Sequence, residues 1–236
     1  MLSVFDLLEA GTLELDLAAY LMARISRGAS FIVGAVPGGA GKTTVMCALL
    51  NLVPPDVELL AATENAVGAA LKEEVSKRNC YICHEIGSGH YFAYLWGKPL
   101  QDYCSLHARG HILATNLHAD DPEQTYEQIC EQNSVPDEDF RSFELLLFLD
   151  VQGGYFDARR RISTVYSSDG QSDHALIYDA DNGLSTMLDS PPPPVAPEYL
   201  SACREFLDTT GSKGVRTIEQ TRQAVLEFLR QYPESS

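Results

Sequence analysis

The stretch Gly38-Gly39-Ala40-Gly41-Lys42-Thr43-Thr44, set directly behind the apolar run Phe31-Ile32-Val33, constrains this chain more than any other feature in it. Small residues let successive backbone N–H groups close around a polyphosphate, and the helix that follows turns its positive end toward it. Lys42 is then placed to reach the outer phosphates, and the Thr43 hydroxyl to ligate Mg²⁺. A glycine-rich loop alone is only a flexible turn. The order strand, glycines, Gly-Lys-Thr-Thr, apolar helix (Val45, Met46, Ala48, Leu49, Leu50) is the context that makes it a phosphate site. The signature asks for a glycine five places before Gly41, and here Val36 stands there, followed by Pro37. The expected nucleotide contacts are Pro37, Gly38, Gly39, Ala40, Gly41, Lys42, Thr43 and Thr44, with Thr43 on the metal.

The 236 residues suffice for one domain with a substantial core and a small addition. No apolar run approaches the ~20 residues that span a bilayer, and Met1-Leu2-Ser3-Val4-Phe5-Asp6 lacks the basic start of a secretory signal, so the expected location is the cytoplasm. With 33 acidic against 17 basic residues the formal net charge is −16, which repels nucleic acid and argues against DNA or RNA as partner. Six cysteines follow no framework pattern and read as reduced thiols.

Along the chain, Leu17, Ala18, Leu21, Met22 and Ile25 mark one face of a helix that Gly28 stops. Val57 to Thr63 reads as a second buried strand ending at Glu64, which either faces the nucleotide at the carboxyl end of the sheet or opens the next helix as a surface acid. A helical stretch is expected to about Arg78. Cys80 to Ile86 reads as a third strand, and its acid, Glu85, is the choice for orienting an attacking water or holding Mg²⁺ through its waters. The same residues spell C-x-x-C-H, but a buried strand and the lack of a second Cys pair speak against haem and zinc.

A Gly- and aromatic-rich insertion, 87–97, precedes a helix from Leu100 to Arg109 closed by Gly110; Cys104, His107 and His111 are read as structural. His111 to Leu117 is the fourth strand, with Thr115, Asn116 and His118 expected near the γ-phosphate, and Asp121-Pro122-Glu123 opens a helix as cap, first position and acid. Phe143 to Val151, Arg160 to Tyr166 and Ala175 to Tyr178 read as a hairpin-rich extension turned at Gly153-Gly154, with Arg159-Arg160-Arg161 a solvated edge that blocks strand addition. Pro191 to Pro194 is a stiff linker, followed by helices at Pro197 to Leu207 and Thr217 to Gln231. The expected division is 1–190 for the domain that carries the phosphate site and 191–236 for the linker and a helical appendage.

Leu7-Leu8-Glu9-Ala10-Gly11-Thr12-Leu13, the Gly-Lys-Thr-Thr loop, Glu64, His84-Glu85-Ile86, and Gly110-His111 through Leu117-His118-Ala119 with Pro122 occur in this order, and together they resemble the secretion and type IV pilus ATPase family. The resemblance covers roughly residues 7 to 180. It implies a RecA-like α/β fold, ATP and Mg²⁺ as cofactors, and homo-oligomeric rings that put force on a membrane secretion or pilus complex. It also implies that Lys42 and Thr43 bind phosphate and metal, Glu64 matches the acidic box, Glu85 the catalytic acid and His118 the histidine that senses the γ-phosphate. Against the family pattern, Gly87 stands where an arginine is usual, Val36 replaces a glycine, the stretch between Glu85 and His111 is lengthened, and the separate N-terminal domain is expected to be missing. Arg78, Arg109 and the Arg159 to Arg161 run are expected to reach a neighbour's site. The leading expectation is an ATP-binding and ATP-hydrolysing motor; the alternative is a nucleotide-binding regulatory or assembly subunit without turnover. A small-molecule kinase would need an arginine-rich lid, and no such segment is present.

Overall fold

The computed structural model describes residues 1–36, 38–153, 158–184 and 195–232. Pro37, Gly154 of the expected turn and the Pro191 to Pro194 linker lie outside the described residues.

The sequence periodicities become a mixed sheet between two helical layers. Among the described residues the strands are β1 (Phe31–Gly34), β2 (Glu58–Ala61), β3 (Asn79–Ile86), β4 (Tyr94–Leu95), β5 (Ile112–Leu117), β6 (Leu145–Gln152), β7 (Arg159–Ser167), β8 (Ala175–Asp179) and β9 (Gly183–Leu184). They lie in the order β2-β3-β5-β1-β6-β7-β8-β9, with β4 paired to β3. Pairing is parallel from β2 to β6 and antiparallel beyond. The long parallel strands are thus arranged as fifth, first, fourth, third and second, the RecA-like arrangement. The strand that leads into the glycine-rich loop is enclosed on both sides, and one strand separates it from the strand that carries Glu85 near its end.

Both faces of β1, β5 and the first five residues of β6 are buried, so these strands read as near-continuous apolar runs. Phe31, Val33, Ile112, Ala114, Leu145 and Leu147 pack on one layer, with helices α1 (Val4–Glu9), α2 (Leu15–Ile25), α3 (Lys42–Leu49), α8 (Pro197–Ser212) and α9 (Ile218–Leu229). Ile32, Leu113, Leu146 and Phe148 face the other layer, with α4 (Glu64–Ala70), α5 (Lys98–Cys104), α6 (Pro122–Tyr126) and α7 (Asp137–Arg141). Cys203 and Leu207 of α8 and Val225 of α9 are buried in the same layer as α2.

Two expectations are corrected and a third is extended. The second strand is not buried: β2 has a neighbour on one side only, and Leu59 is 45% exposed. The helix expected to reach Arg78 ends at Ala70. Glu73-Glu74 would place two negative charges at the negative end of a helix, and Val75-Ser76 are weak helix formers. The 87–97 insertion contains a strand, β4, that pairs in parallel with Glu85 and Ile86. The triple-arginine run is an edge, as expected: among the described residues Arg159, Arg160 and Arg161 pair with β6 alone, and β8 joins β7 only from Thr164 to Ser167.

Candidate functional site

β1 ends at Gly34, where a Cβ would stand 2.6 Å from the Ala119 carbonyl and 2.7 Å from the Phe148 ring, so only glycine lets the chain leave the sheet at this point. The loop returns through Gly39 (φ 80°) and Gly41 (φ 100°), which sits in the left-handed region as the cap of α3. Val36 is not among the residues with positive φ, so its position does not require the glycine that the signature asks for. Its side chain is 49% exposed and its N–H donates to Asp120 Oδ1 at 2.7 Å.

Lys42, the first residue of α3, is 8% exposed. Its ammonium donates to the Ala35 carbonyl at 3.2 Å and lies 3.2 Å from His118 Nδ1 and 3.6 Å from Glu85 Oε1. His118 Nε2 is 3.8 Å from the same carboxylate oxygen. That oxygen is buried and has no hydrogen-bond partner among the described residues, although two basic side chains flank it. An anionic acceptor held in this way is available to a donor that enters the site. Asn116, at the end of β5, donates from Nδ2 to the Thr43 hydroxyl at 3.3 Å and to the His84 carbonyl at 2.9 Å, while its buried Oδ1 is unpaired. Two orphan acceptors therefore lie at one loop, together with a hydroxyl and an ammonium.

The topology thus brings Lys42, Thr43, Glu85 and His118 together. It leaves Glu64 apart: that residue opens α4 behind its Thr63 cap, exposed, beyond β3 and β5 from the loop strand. The position fits the surface-acid reading. Cys80 and Cys83 lie on opposite faces of the sheet, one in each hydrophobic layer, and burial pushes both thiols up to about 12. The C-x-x-C-H string therefore does not converge on a common ligand. Thr44, Gly39, Gly41, Val45, Leu2, Thr12 and Arg160 line a hollow of about 280 Å³ beside the loop.

Sequence reasoning pointed the Arg159 to Arg161 run at a neighbour's site and missed that Arg160 meets its own loop, where its Nε donates to the Gly39 carbonyl at 3.1 Å. Strand alternation would have separated it from its two neighbours, but not shown which face meets the loop. Asn116 was placed in the neighbourhood without a role, and its contact with Thr43 needs the register of β5 on β1. Arg78 donates to the Gly28 carbonyl and Arg109 to the Glu73 carbonyl, both away from the loop.

No protein-family model matches the sequence, and no curated protein matches it. Among solved structures, the chain is similar to the VirB11 ATPase from the Brucella suis type IV secretion system in complex with sulphate, at 21% identity, TM-score 0.48, over 69% of this chain and 54% of that one. It is also similar to the Legionella pneumophila ATPase DotB, at 11% identity, TM-score 0.45, over 97% of this chain and 58% of that one. Both neighbours are ATPases. The chain spans little more than half the length of each. Among the described residues no helix is long and apolar enough to cross a membrane.

Proposed function

We propose that this chain binds Mg-ATP at the 36–44 loop and hydrolyses it as a subunit of a secretion or pilus-assembly motor. The observation that carries the reading is the buried Glu85 carboxylate, held between Lys42 and His118 at the loop with one oxygen unpaired. Lys42 balances phosphate charge, and the loop N–H groups orient the phosphates. Thr43 and Glu85 are the residues that would hold Mg²⁺, directly and through water, and both the hydroxyl and the orphan oxygen fit that task. The metal would supply charge neutralisation between the outer phosphates. Glu85 accepts a hydrogen bond from the attacking water and orients it; His118, within reach of both Lys42 and Glu85, senses whether the outer phosphate is present. The hollow beside the loop, which Leu2 and Val45 line together with Thr12 and Arg160, is where a nucleotide base would sit.

ATP affinity by calorimetry and phosphate release test this on wild type, Lys42→Ala and Glu85→Gln. Lys42→Ala should weaken ATP binding roughly tenfold or more, since a charge-assisted contact is lost. Glu85→Gln should bind Mg-ATP as wild type does and turn over roughly 10²-fold slower or less. Unchanged affinity in Lys42→Ala would remove the phosphate-site reading. Tight binding with no turnover in wild type, at any protein concentration, would make the chain a regulatory or assembly subunit instead.

A further inference from the structure

β7 alternates, so Arg160 leaves the strand on the face opposite to Arg159 and Arg161. Arg161 turns to Asp181, at 3.3 Å, and is neutralised there. Arg160, opposite Val151 in register, lies against the phosphate loop instead. Its Nε donates to the Gly39 carbonyl at 3.1 Å, and its Cδ would stand 3.3 Å from a Cβ on Gly41. Two residues on, Ile162 is buried and its N–H donates to the Thr12 carbonyl, which fixes the strand beside the hollow that Arg160 and Thr44 share. Among the described residues no carboxylate lies within ion-pair distance of Arg160. A guanidinium held by one nitrogen to the loop keeps its two terminal nitrogens for a second acceptor.

The location decides which phosphates it can serve. The loop backbone cradles the inner phosphates, whereas the lysine reaches the outer ones. Arg160 stands at the backbone of Gly39 and Gly41, and Lys42 is the cation that stands with Glu85 and His118. We infer that Arg160 is a binding residue for the α- and β-phosphates of a nucleotide in its own chain's loop, and not a cation presented to a neighbour's γ-phosphate. The inference rests on the nucleotide reading above.

An inner-phosphate ligand binds ADP and ATP alike, whereas a cation directed at the γ-phosphate favours ATP. Calorimetric affinities of wild type, Arg160→Ala, Arg160→Lys and the control Arg161→Ala for ATP and ADP, each with Mg²⁺, separate the two, together with melting temperatures without nucleotide. Arg160→Ala should lose roughly tenfold in affinity for both nucleotides, as expected for one charge-assisted hydrogen bond. Arg160→Lys should recover part of that loss, Arg161→Ala should bind as wild type, and the melting temperature of Arg160→Ala should be unchanged. Wild-type affinity for both nucleotides in Arg160→Ala overturns the inference, as does a loss confined to ATP. A loss matched by a lower nucleotide-free melting temperature also overturns it, because the arginine then only braces the loop. Failure of the wild type itself to bind either nucleotide would overturn the phosphate-site reading, a separate result from a wild type that binds and an arginine variant that binds equally well.

Discussion

His111 and His118 frame the strand β5 and do different work. His118 belongs to the loop cluster, whereas His111 accepts the Asn79 N–H at Nδ1 (3.2 Å) and meets the Tyr81 ring edge-on, tying the start of β3 to β5. Accepting that bond requires an unprotonated Nδ1. Burial lowers the His111 pKa below its ordinary value, and the positive charges of Arg109 and Arg78 lower it further. Burial likewise lowers His107 and His174. A folded state that disfavours the proton is at full strength above the unfolded value, about 6.5, and loses stability as pH falls from there through the lower folded values. His111→Gln should cost about 1 kcal/mol near pH 7.5, the worth of one hydrogen bond, and the gap to wild type should narrow toward pH 5. Urea melts of the two proteins at several pH values measure it; a gap that stays constant or widens on acidification would show that His111 is held by something other than its neutral form.

At the scale of elements, α9 grips the exit of the helix that the glycine-rich loop opens. A short 3₁₀ turn, Leu50–Leu52, continues α3, and its trailing carbonyls have no partner within the helix. Arg222 supplies one: its guanidinium donates to the carbonyls of Asn51 (2.9 Å), Val53 (2.5 Å) and Pro54 (3.0 Å). Arg222→Ala should therefore destabilise the fold by about 1–3 kcal/mol in urea unfolding, and Arg222→Lys should restore little, since a single ammonium cannot match a planar fork spread over three carbonyls. The capping box of α9, Thr217 with Gln220, was legible in the sequence and the structure has it, but its docking under α3 was not, because a capping motif carries no information on what the helix meets. The same limit runs through the chain. Helices and strands with a strong apolar period, such as Leu17 to Ile25 and Leu145 to Leu149, could be read directly. The two-residue β4 and the π-helical turn Glu127–Glu131 could not, since both are defined by partners far along the chain or by local irregularity rather than by composition. At the site, Lys42 and Thr43 are legible in the loop motif, Glu85 as the acid at a strand end and His118 through the family resemblance, while the placing of Asn116 and Arg160 depends on strand register.

At the scale of the whole molecule, Lys42 is the described cation that stands with Glu85 and His118, and Arg160 belongs to the other end of the loop. A second cation at the developing charge is worth roughly 10³ to 10⁵ in rate, and on the proposed motor reading it would come from another subunit. Specific ATPase activity should rise with protein concentration as chains associate, with light scattering recording the association. Dilute monomer that turns over as fast per chain as concentrated protein would exclude a ring mechanism. The position of β1 has a consequence in time as well as in space. Phe31 pairs with Ala114 on one side and Leu145 on the other, so the segment that holds the whole Gly-Lys-Thr-Thr loop leaves the ribosome well before either of its flanking strands. Such distant pairings are slow to form, because loop closure has to precede the contacts that reward it. The emerging chain therefore passes through a period in which the loop exists without a sheet to hold it, and the proposed nucleotide site cannot form until both flanking strands have emerged.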